Sequence, residues 1–197
     1  MSVLIETSLG NIVIDLEYQL APKTCFNFIK LCLLKYYNNC LIYNIERDFV
    51  AKMGDPTNCG NGGSSVYHID QGNRFFNDEI HSNLKHKKFG TVGMIATEDK
   101  ANTNGSQFYI TLNKTNLSYL DEKLTVFGYV EEGFDVLQQI NNTYCDDNNQ
   151  PFQNIRIKHT YVLYDPFTEQ SKLLSDKIDR AISPTPIDDN QDINKPI

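Results

Sequence analysis

The 197 residues of this chain suit one compact domain with a tail rather than two full domains. Hydrophobic residues make up 40% of the chain, enough for a core, and 25 acidic against 18 basic residues give a formal net charge of −7. Because an acidic surface repels phosphate backbones, we expect no direct nucleic-acid binding by this chain. No apolar stretch approaches the roughly 18–20 residues that span a bilayer, and no secretory signal is visible, so we expect no membrane association.

The cysteines and histidines give no sign of a disulfide framework or a metal site. The five cysteines are an odd number on a chain without a visible signal peptide, which indicates a reducing compartment. No two of them form a Cys-x-x-Cys pair, and the four histidines are scattered along the chain. Because structural zinc sites use closely spaced ligand pairs, we expect no bound metal.

The first predicted elements are a β-hairpin and a helix. Residues 3–7 and 11–16 flank a turn that contains Gly10, which is the pattern of a hairpin. Pro22 starts a helix that we expect to run to about Tyr36, because proline fits the first helical turn. Apolar residues at spacings of three or four mark its predicted buried face; they are Phe26, Ile29, Leu33 and Tyr36.

Short β-rich segments dominate the rest of the predicted domain. Strands are expected over residues 41–45, 50–54, 91–96, 107–112, 125–130 and 155–163. A second helix is expected over residues 133–141, with Phe134, Leu137 and Ile140 facing inward. Many strands with only two helices predict a mainly β fold, either a barrel or a sandwich with helical caps.

The composition changes near Pro166. All eleven glycines lie at or before Gly133, whereas four of the seven prolines follow Asp165. We therefore predict a folded domain over residues 1–164 and a polar tail or linker over residues 165–197. Within that tail, residues 169–182 could form a helix, because their apolar residues fall near one stripe.

Three segments carry a specific resemblance. Residues 43–55 read Tyr-Asn-Ile-Glu-Arg-Asp-Phe-Val-Ala-Lys-Met-Gly-Asp, residues 102–110 read Asn-Thr-Asn-Gly-Ser-Gln-Phe-Tyr-Ile, and residues 119–130 read Tyr-Leu-Asp-Glu-Lys-Leu-Thr-Val-Phe-Gly-Tyr-Val. In order and approximate spacing they resemble the cyclophilin family of peptidyl-prolyl cis-trans isomerases. The resemblance covers roughly residues 1–164. It implies a closed antiparallel β-barrel with an α-helix capping each end.

A divergent branch of that family is the better match. Residues 44–49, 85–88 and 164–167 look like the cyclophilins that carry an RNA-recognition domain after the isomerase domain. Those relatives are nuclear and linked to RNA processing, so the resemblance implies a nuclear location, with the cytoplasm as the alternative. This chain shows no RNA-recognition signature, so we expect it to correspond to the isomerase part alone, as a monomer.

The chemistry of such an isomerase needs few groups. A prolyl peptide bond rotates over a barrier of about 18–20 kcal/mol, and rotation returns a lone pair to the proline nitrogen. A catalyst can hold the ring in an apolar pocket and aim a donor at that nitrogen. The resemblance implies an apolar floor, an arginine donor and a positioning glutamine, without nucleophile, metal or cofactor.

Much of this pocket carries over to the present sequence. Phe49 matches the family's floor phenylalanine, and Val50 falls where a methionine is usual. Gln107 and Tyr109 match the glutamine and the second phenylalanine of a Ser-Gln-Phe-Phe segment, and Leu120 matches the wall leucine. Such a ring of residues could hold a proline with modest affinity. The alternative is that these side chains only fill a barrel core.

The departures concern the catalytic machinery. Asn44 occupies the position of the family's catalytic arginine, and Lys52 replaces the glutamine that steadies it. Tyr119 replaces a tryptophan associated with cyclosporin binding, and Leu124 replaces a pocket histidine. The segment between Met94 and Asn102 is two residues longer than is common in the family. Within it we assign the peptide-contacting backbone to Ile95 and Ala96.

Two functions are consistent with these residues. The first is an isomerase acting on Xaa-Pro bonds of proteins, weak because asparagine offers a short neutral amide where arginine offers a charged fork. The second is a non-catalytic module that docks proline-containing partners in a nuclear RNA-processing assembly. Lys52 or Arg47 could supply part of the missing charge as a catalytic group, although we favour the interpretation of both as ordinary solvated bases. We interpret residues 85–88 as a solvated loop.

Overall fold

The structure, a computed structural model, describes residues 1–97, 100–113, 117–165 and 167. Met1–Phe167 form one compact unit. This unit includes Asp165 and Phe167, which the predicted boundary assigns to the tail. Lys30 forms an ion pair with Asp165, with Nζ 3.0 Å from Oδ2. The helix predicted over residues 169–182 lies outside the described residues.

In the part of the chain that the structure describes, eight antiparallel strands form one curled sheet. In chain order they are β1 (Ser2–Thr7), β2 (Asn11–Leu16), β3 (Asn44–Glu46), β4 (Val50–Met53), β5 (Thr91–Ala96), β6 (Asn104–Thr111), β7 (Val126–Glu132) and β8 (Ile157–Val162). Their order across the sheet is β3-β4-β6-β5-β7-β2-β1-β8. The mainly β fold predicted from the sequence is therefore confirmed.

Backbone hydrogen bonds also connect the two ends of this strand order. The N–H of Asn39 donates to the carbonyl of Ile157 at 2.8 Å, and the N–H of Ile157 donates to the carbonyl of Cys40 at 2.9 Å. The N–H of Ile42 donates to the carbonyl of Ile155 at 2.9 Å. These bonds lie just before β3 and at the start of β8, whereas the described parts of the two strands do not pair with each other.

Among the described residues, three α-helices accompany the sheet: α1 (Pro22–Leu33), α2 (Tyr67–Gln71) and α3 (Phe134–Asn141), with a short 3₁₀ helix at Ser118–Leu120. The two predicted helices are confirmed, and the short α2 was not predicted. Helix α1 ends at Leu33, earlier than expected, and Leu33 is 47% exposed, so its assignment to the buried face is wrong. The buried stripe instead follows Cys25, Phe28, Ile29 and Cys32. Phe134 is likewise exposed, while Leu137 and Ile140 are buried.

An aromatic cluster fills the core between α1 and the sheet. The ring of Phe28 lies 5.2 Å from those of Phe108 and Phe127 and 5.5 Å from that of Tyr37, measured between centroids. Edge-to-face and tilted pairs of this kind add about 0.5–1.5 kcal/mol each beyond the burial of apolar area. The cluster therefore fixes Phe108 of β6 from inside the fold.

The alternation of side chains along β6 then decides which residues reach the site. Phe108 and Ile110 point into the core and are fully buried. Successive side chains of a strand point to opposite faces, so Gln107 and Tyr109 face the other way. The Ser-Gln-Phe-Tyr run thus presents its second and fourth residues to the candidate site.

The described residues contain neither a membrane-spanning helix nor a metal cluster. None of the described helices has the length and hydropathy that crossing a bilayer requires. In the same part of the chain, no group of three or more histidine, cysteine, aspartate or glutamate residues could hold a metal ion. All five cysteines are described, and each is a free thiol.

Candidate functional site

An open groove of about 610 Å³ lies against β4, β5, β6 and the loop before β7; we call it the apolar groove. It brings together most residues that the sequence predicts for the site. Those residues are Phe49, Val50, Lys52, Ile95, Ala96, Tyr109, Leu120 and Leu124. Val50 and Tyr109 are buried, and the other six are partly exposed.

The floor of the apolar groove rests on a stacked aromatic pair. The rings of Phe49 and Tyr119 lie 6.2 Å apart between centroids, at an interplanar angle of 21°. Tyr119 is 57% exposed and stands beside the groove rather than among its lining residues. Tyr119 therefore covers one side of the Phe49 ring and leaves the other side to the groove.

A reciprocal side-chain contact holds the turn that carries Phe49. Asp48 has a φ of 56°, in the left-handed region. The Asp48 N–H donates to Oδ1 of Asn141 at 2.8 Å, and the Asn141 Nδ2 donates to Oδ1 of Asp48 at 2.8 Å. Asn141 is the last residue of α3, so this helix fixes the turn at the entrance to β4.

Tyr109 closes the inner wall and contacts a buried histidine. Its Oη lies 2.5 Å from Nε2 of His86, and Nδ1 of His86 lies 2.8 Å from Oδ1 of Asp121. His86 is only 1% exposed, so the interpretation of residues 85–88 as a solvated loop is wrong at this position. Lys87 and Lys88, which follow His86 directly, are exposed.

The pKa values of these groups define the proton positions. Burial lowers the pKa of His86, against the hydrogen bond and charge of Asp121, so the imidazole is neutral near pH 7. Burial alone would raise the pKa of Asp121, but hydrogen bonds from His86 outweigh it and the net pKa is lowered. Burial raises the pKa of Tyr109, and the charge of Asp121 adds to that. The carboxylate therefore accepts from Nδ1–H, and the Tyr109 hydroxyl donates to Nε2.

A second cavity of about 300 Å³ adjoins the groove; we call it the polar cavity. Lys52, Ile95 and Ala96 line both spaces and form the divide between them. The remaining lining residues are mostly polar; they are Tyr43, Asn44, Cys59, Gly60, Thr97, Gln107, Asn148 and Gln150. Asn44 and Gln107 are thus placed in the polar cavity and not in the apolar groove.

The side chain of Gln107 is held by three hydrogen bonds. Its Nε2 donates to the carbonyls of Gly60 at 3.0 Å and Gly62 at 2.9 Å. Its Oε1 accepts from the hydroxyl of Tyr43 at 2.5 Å. Both amide protons are used, so the remaining capacity of Gln107 toward a ligand is as a hydrogen-bond acceptor.

Comparison with known proteins agrees with this geometry. Residues 2–162 match the family model described as "Cyclophilin type peptidyl-prolyl cis-trans isomerase/CLD". The chain belongs to the cyclophilin family. The sequence resemblance is therefore confirmed at the level of the family.

Several curated cyclophilins are similar along most of this chain. The Arabidopsis thaliana protein named peptidyl-prolyl cis-trans isomerase CYP59 is 54% identical over 175 residues, covering 88% of this chain and 34% of that protein. The human peptidyl-prolyl cis-trans isomerase-like 4 is 48% identical over 187 residues, covering 94% of this chain and 37% of that protein. The chain thus spans little more than a third of the length of these relatives.

Solved cyclophilins share the fold. A cyclophilin type peptidyl-prolyl cis-trans isomerase from Cryptosporidium parvum, crystallised in the presence of the dipeptide Ala-Pro, superposes with a TM-score of 0.77 at 34% identity. The match covers 84% of this chain and all of that chain. A second crystal structure of the same protein gives the same TM-score and identity.

Asn44 differs from the arginine expected of a cyclophilin in reach as well as charge. Its Nδ2 donates to the carbonyl of Asn148 at 3.3 Å. Its Oδ1 is buried, and among the described residues it has no hydrogen-bond partner. A buried amide oxygen without a partner costs about 1–3 kcal/mol.

Lys52 faces Asn44 across the β3–β4 pair, and its charge is matched by a carboxylate. The Nζ of Lys52 lies 2.7 Å from Oε1 of Glu46, and both side chains are about one-third exposed. Arg47 is exposed on the turn that follows β3. Lys52, which lines both cavities, is therefore engaged in an ion pair.

Sequence reasoning missed several groups at the far end of the apolar groove. They are Asp78, Ile80, Lys100, Ala101, Glu122 and Lys123. Asp78 binds the Asn102–Asn104 turn, because its Oδ2 accepts from the N–H of Asn102 at 2.8 Å and its Oδ1 accepts from Nδ2 of Asn104 at 2.7 Å. No local pattern around Asp78 signals this contact, which spans 24 and 26 residues of sequence.

Proposed function

We propose that this cyclophilin domain is a weak peptidyl-prolyl cis-trans isomerase acting on Xaa-Pro bonds of proteins. The observation that carries the proposal is the juxtaposition of the two cavities across Ile95 and Ala96. A proline ring seated in the apolar groove would place the preceding residue over this divide and its side chain toward the polar cavity. The Ala-Pro dipeptide named with the Cryptosporidium parvum relative supports a proline ligand.

The groove residues would then hold the ring and leave the imide bond free to turn. Phe49 would form the floor, Leu120 and Leu124 the outer walls, and Tyr109 with Val50 the inner wall. The backbone of Ile95 and Ala96 would contact the peptide at the divide. Gln107 would accept a hydrogen bond from the peptide through its amide oxygen.

Asn44 explains why we expect the activity to be weak. Removing one preorganised transition-state donor costs about 10²–10³ in rate in other enzymes. A neutral amide whose Nδ2 already donates to Asn148 is a poor substitute for a guanidinium. Lys52 does not replace that group, because Glu46 neutralises its ammonium at 2.7 Å.

The second candidate is a non-catalytic module that docks a proline-containing partner in a nuclear RNA-processing assembly. Asn44 favours it, because a neutral amide lacks the charged donor expected to promote rotation of the imide bond, whereas the residues proposed to bind the proline ring remain. The same groove residues serve both candidates. They differ only in whether bound peptide exchanges between its isomers.

Proline-peptide exchange measured by NMR separates the two candidates. A proline peptide is titrated with the wild type, with Asn44→Arg and with Asn154→Arg, which adds the same charge at an exposed position outside both cavities. We expect binding with slow exchange, accelerated about tenfold or more by Asn44→Arg only.

Each other outcome is decisive. A wild-type rate equal to that of an ordinary cyclophilin would contradict the weak activity. Binding without exchange, even at high protein concentration, would favour the docking module. If the wild type shows no peptide binding and no exchange, both candidates are overturned.

We also propose a closed barrel, a monomer and a nuclear location, with the cytoplasm as the alternative. The bonds between residues 39–42 and 155–157 support closure of the sheet. Amide exchange that is slow at Ile42 and Ile157 would agree with closure, and sedimentation would test the monomer. Imaging of the tagged chain in living cells would test the location.

A further inference from the structure

His86 lies directly behind the apolar groove and joins two of its walls. Its Nε2 meets Tyr109 of β6, and its Nδ1 meets Asp121 of the loop that carries Leu120 and Leu124. Its backbone joins the same loop twice: the His86 N–H donates to Oδ1 of Asp121 at 2.9 Å, and its carbonyl accepts from the N–H of Leu117 at 3.1 Å.

The Tyr109 hydroxyl reaches His86 only because Gly93 leaves room for the ring. Gly93 faces Tyr109 across the β5–β6 pair. A Cβ at position 93 would stand 2.4 Å from Oη and 2.5 Å from Cζ of Tyr109, closer than real Cβ contacts allow. The rings of Tyr109 and His86 lie nearly parallel, at 13°, with centroids 6.0 Å apart. The tyrosine hydroxyl therefore passes over Gly93 to the buried imidazole of His86.

The hydrogen bonds of this cluster run in one direction. Asp121 is a carboxylate and can only accept, so Nδ1 of His86 carries the proton. Nε2 is then the acceptor, and the Tyr109 hydroxyl donates to it. With the proton on Nε2 instead, the Asp121 carboxylate would have no donor at Nδ1. The two hydrogen bonds of His86 therefore hold both the imidazole and the Tyr109 ring in place.

We propose that His86 is a positioning residue for the apolar groove, holding the Tyr109 ring on one side and, through Asp121, the Leu120–Leu124 loop on the other. This inference rests on the proposed function, because it assigns His86 a role in binding proline peptides. His86 itself lies behind these walls and touches no part of the groove surface.

The test compares peptide affinity with stability in matched variants. Tyr109→Phe keeps the ring and removes the hydroxyl, and His86→Gln removes the imidazole. Tyr129→Phe is the control. The Tyr129 hydroxyl contacts the segment that carries His86, 3.4 Å from the carbonyl of Lys85, but Tyr129 lines neither cavity. We expect roughly two- to tenfold weaker peptide binding for Tyr109→Phe and for His86→Gln, and unchanged binding for Tyr129→Phe.

The double variant separates positioning from a merely structural role. If His86 acts through Tyr109, the second substitution adds little to the loss of affinity caused by the first. Asp121→Asn retains the accepting Oδ1 and should keep most of the affinity that Asp121→Ala loses. Long-range ¹H–¹⁵N spectra should show the Nδ1-protonated form of His86 in the wild type and a moved Nε2 signal in Tyr109→Phe.

The failures can be told apart. A wild type that binds no proline peptide overturns the proposed function and this inference together. A wild type that binds, with folded Tyr109→Phe and His86→Gln variants that bind equally well, overturns this inference alone. An Nε2-protonated imidazole in the wild type also overturns it.

Discussion

Lys52 of β4 and Glu46 of β3 form a diagonal ion pair across the two strands, with Nζ of Lys52 2.7 Å from Oε1 of Glu46. Lys52 is the base shared by both cavities, and it lies opposite Asn44. The carboxylate of Glu46 therefore offsets a positive charge where a cyclophilin is expected to need one. Substituting Glu46 alone would therefore change the net charge beside both cavities.

On the proposed function, Glu46→Gln should raise the isomerisation rate by a few-fold, because it frees the Lys52 ammonium that lines both cavities. The rise should be smaller than that of Asn44→Arg, since a flexible ammonium is a less directed donor than a guanidinium. Stability should change by less than about 1 kcal/mol, because the pair is partly exposed.

The measurement is peptide exchange by NMR at low and high salt. Glu131→Gln, which neutralises an exposed carboxylate at the end of β7, is the control for net charge. An equal rate in Glu46→Gln and wild type at low salt would show that the Lys52 charge does not reach the bound peptide.

Glu79 caps helix α1 from a distant loop, and its removal should destabilise the fold. Its carboxylate accepts from the N–H groups of Lys23 at 3.1 Å and Thr24 at 2.8 Å and from the Thr24 hydroxyl at 2.9 Å. The helix has no side-chain cap of its own at Ala21. Loss of a cap costs about 0.5–2 kcal/mol, so Glu79→Ala should lower the free energy of unfolding by that amount.

Urea unfolding would check this value against Glu131→Ala, which removes an exposed carboxylate elsewhere. Glu79→Gln should fall between wild type and Glu79→Ala, because its amide oxygen still accepts but carries no charge. A Glu79→Ala variant as stable as the control would mean that water satisfies the helix end equally well.

These contacts show how far local sequence reasoning reaches. Short β-rich segments predict most of the strands. Pro22 predicts the start of α1, and the apolar spacing of residues 134–140 predicts α3. These signals all depend on residues that are near one another in sequence. The pairs Glu79–Thr24 and His86–Tyr109 span 55 and 23 residues, and no local pattern encodes them. Phe49 and Leu120 are also distant in sequence, and only the family resemblance predicted that they share one groove. No such resemblance predicted the burial of His86, which is seen only in the structure.

The misassigned face of α1 has a related cause. Leu33 fits the apolar spacing, but the helix ends there and Lys35 adopts a φ of 58°. The buried face of the helix instead contains Cys25 and Cys32, because their small thiols allow close packing against the core. Spacing alone cannot rank two adjacent apolar stripes on one helix.

Buried thiols should make the fold sensitive to alkaline pH. Burial raises the pKa of Cys32 from 9.0 to about 12, and burial also raises that of Cys40 to about 12. The unfolded chain loses these protons first, so the stabilisation is fully present below pH 9 and is lost as the pH rises from 9 toward 12. Each thiol contributes a slope of up to about 1.4 kcal/mol per pH unit in that window.

Urea unfolding between pH 7 and pH 11 under reducing conditions would measure this slope. Cys32→Ala should be less stable at neutral pH and should show a shallower decline above pH 9. Cys59→Ala, which removes an exposed thiol, is the matched control. Parallel declines for Cys32→Ala and wild type would contradict the assignment of the effect to the buried thiol.

Gly93 is the position where one added methyl group should disturb both stability and binding. Its Cβ would meet Tyr109 at 2.4 Å, so Gly93→Ala must displace the ring that forms the inner wall of the apolar groove. Overpacking of this kind costs about 1–3 kcal/mol, and the displaced hydroxyl would also lose its bond to His86. Gly105→Ala is a control on the neighbouring strand, because its Cβ would make ordinary contacts no closer than 3.6 Å. Thermal unfolding and peptide titration together decide the point: a Gly93→Ala protein that melts and binds like Gly105→Ala would show that the Tyr109 ring can move without consequence for the groove.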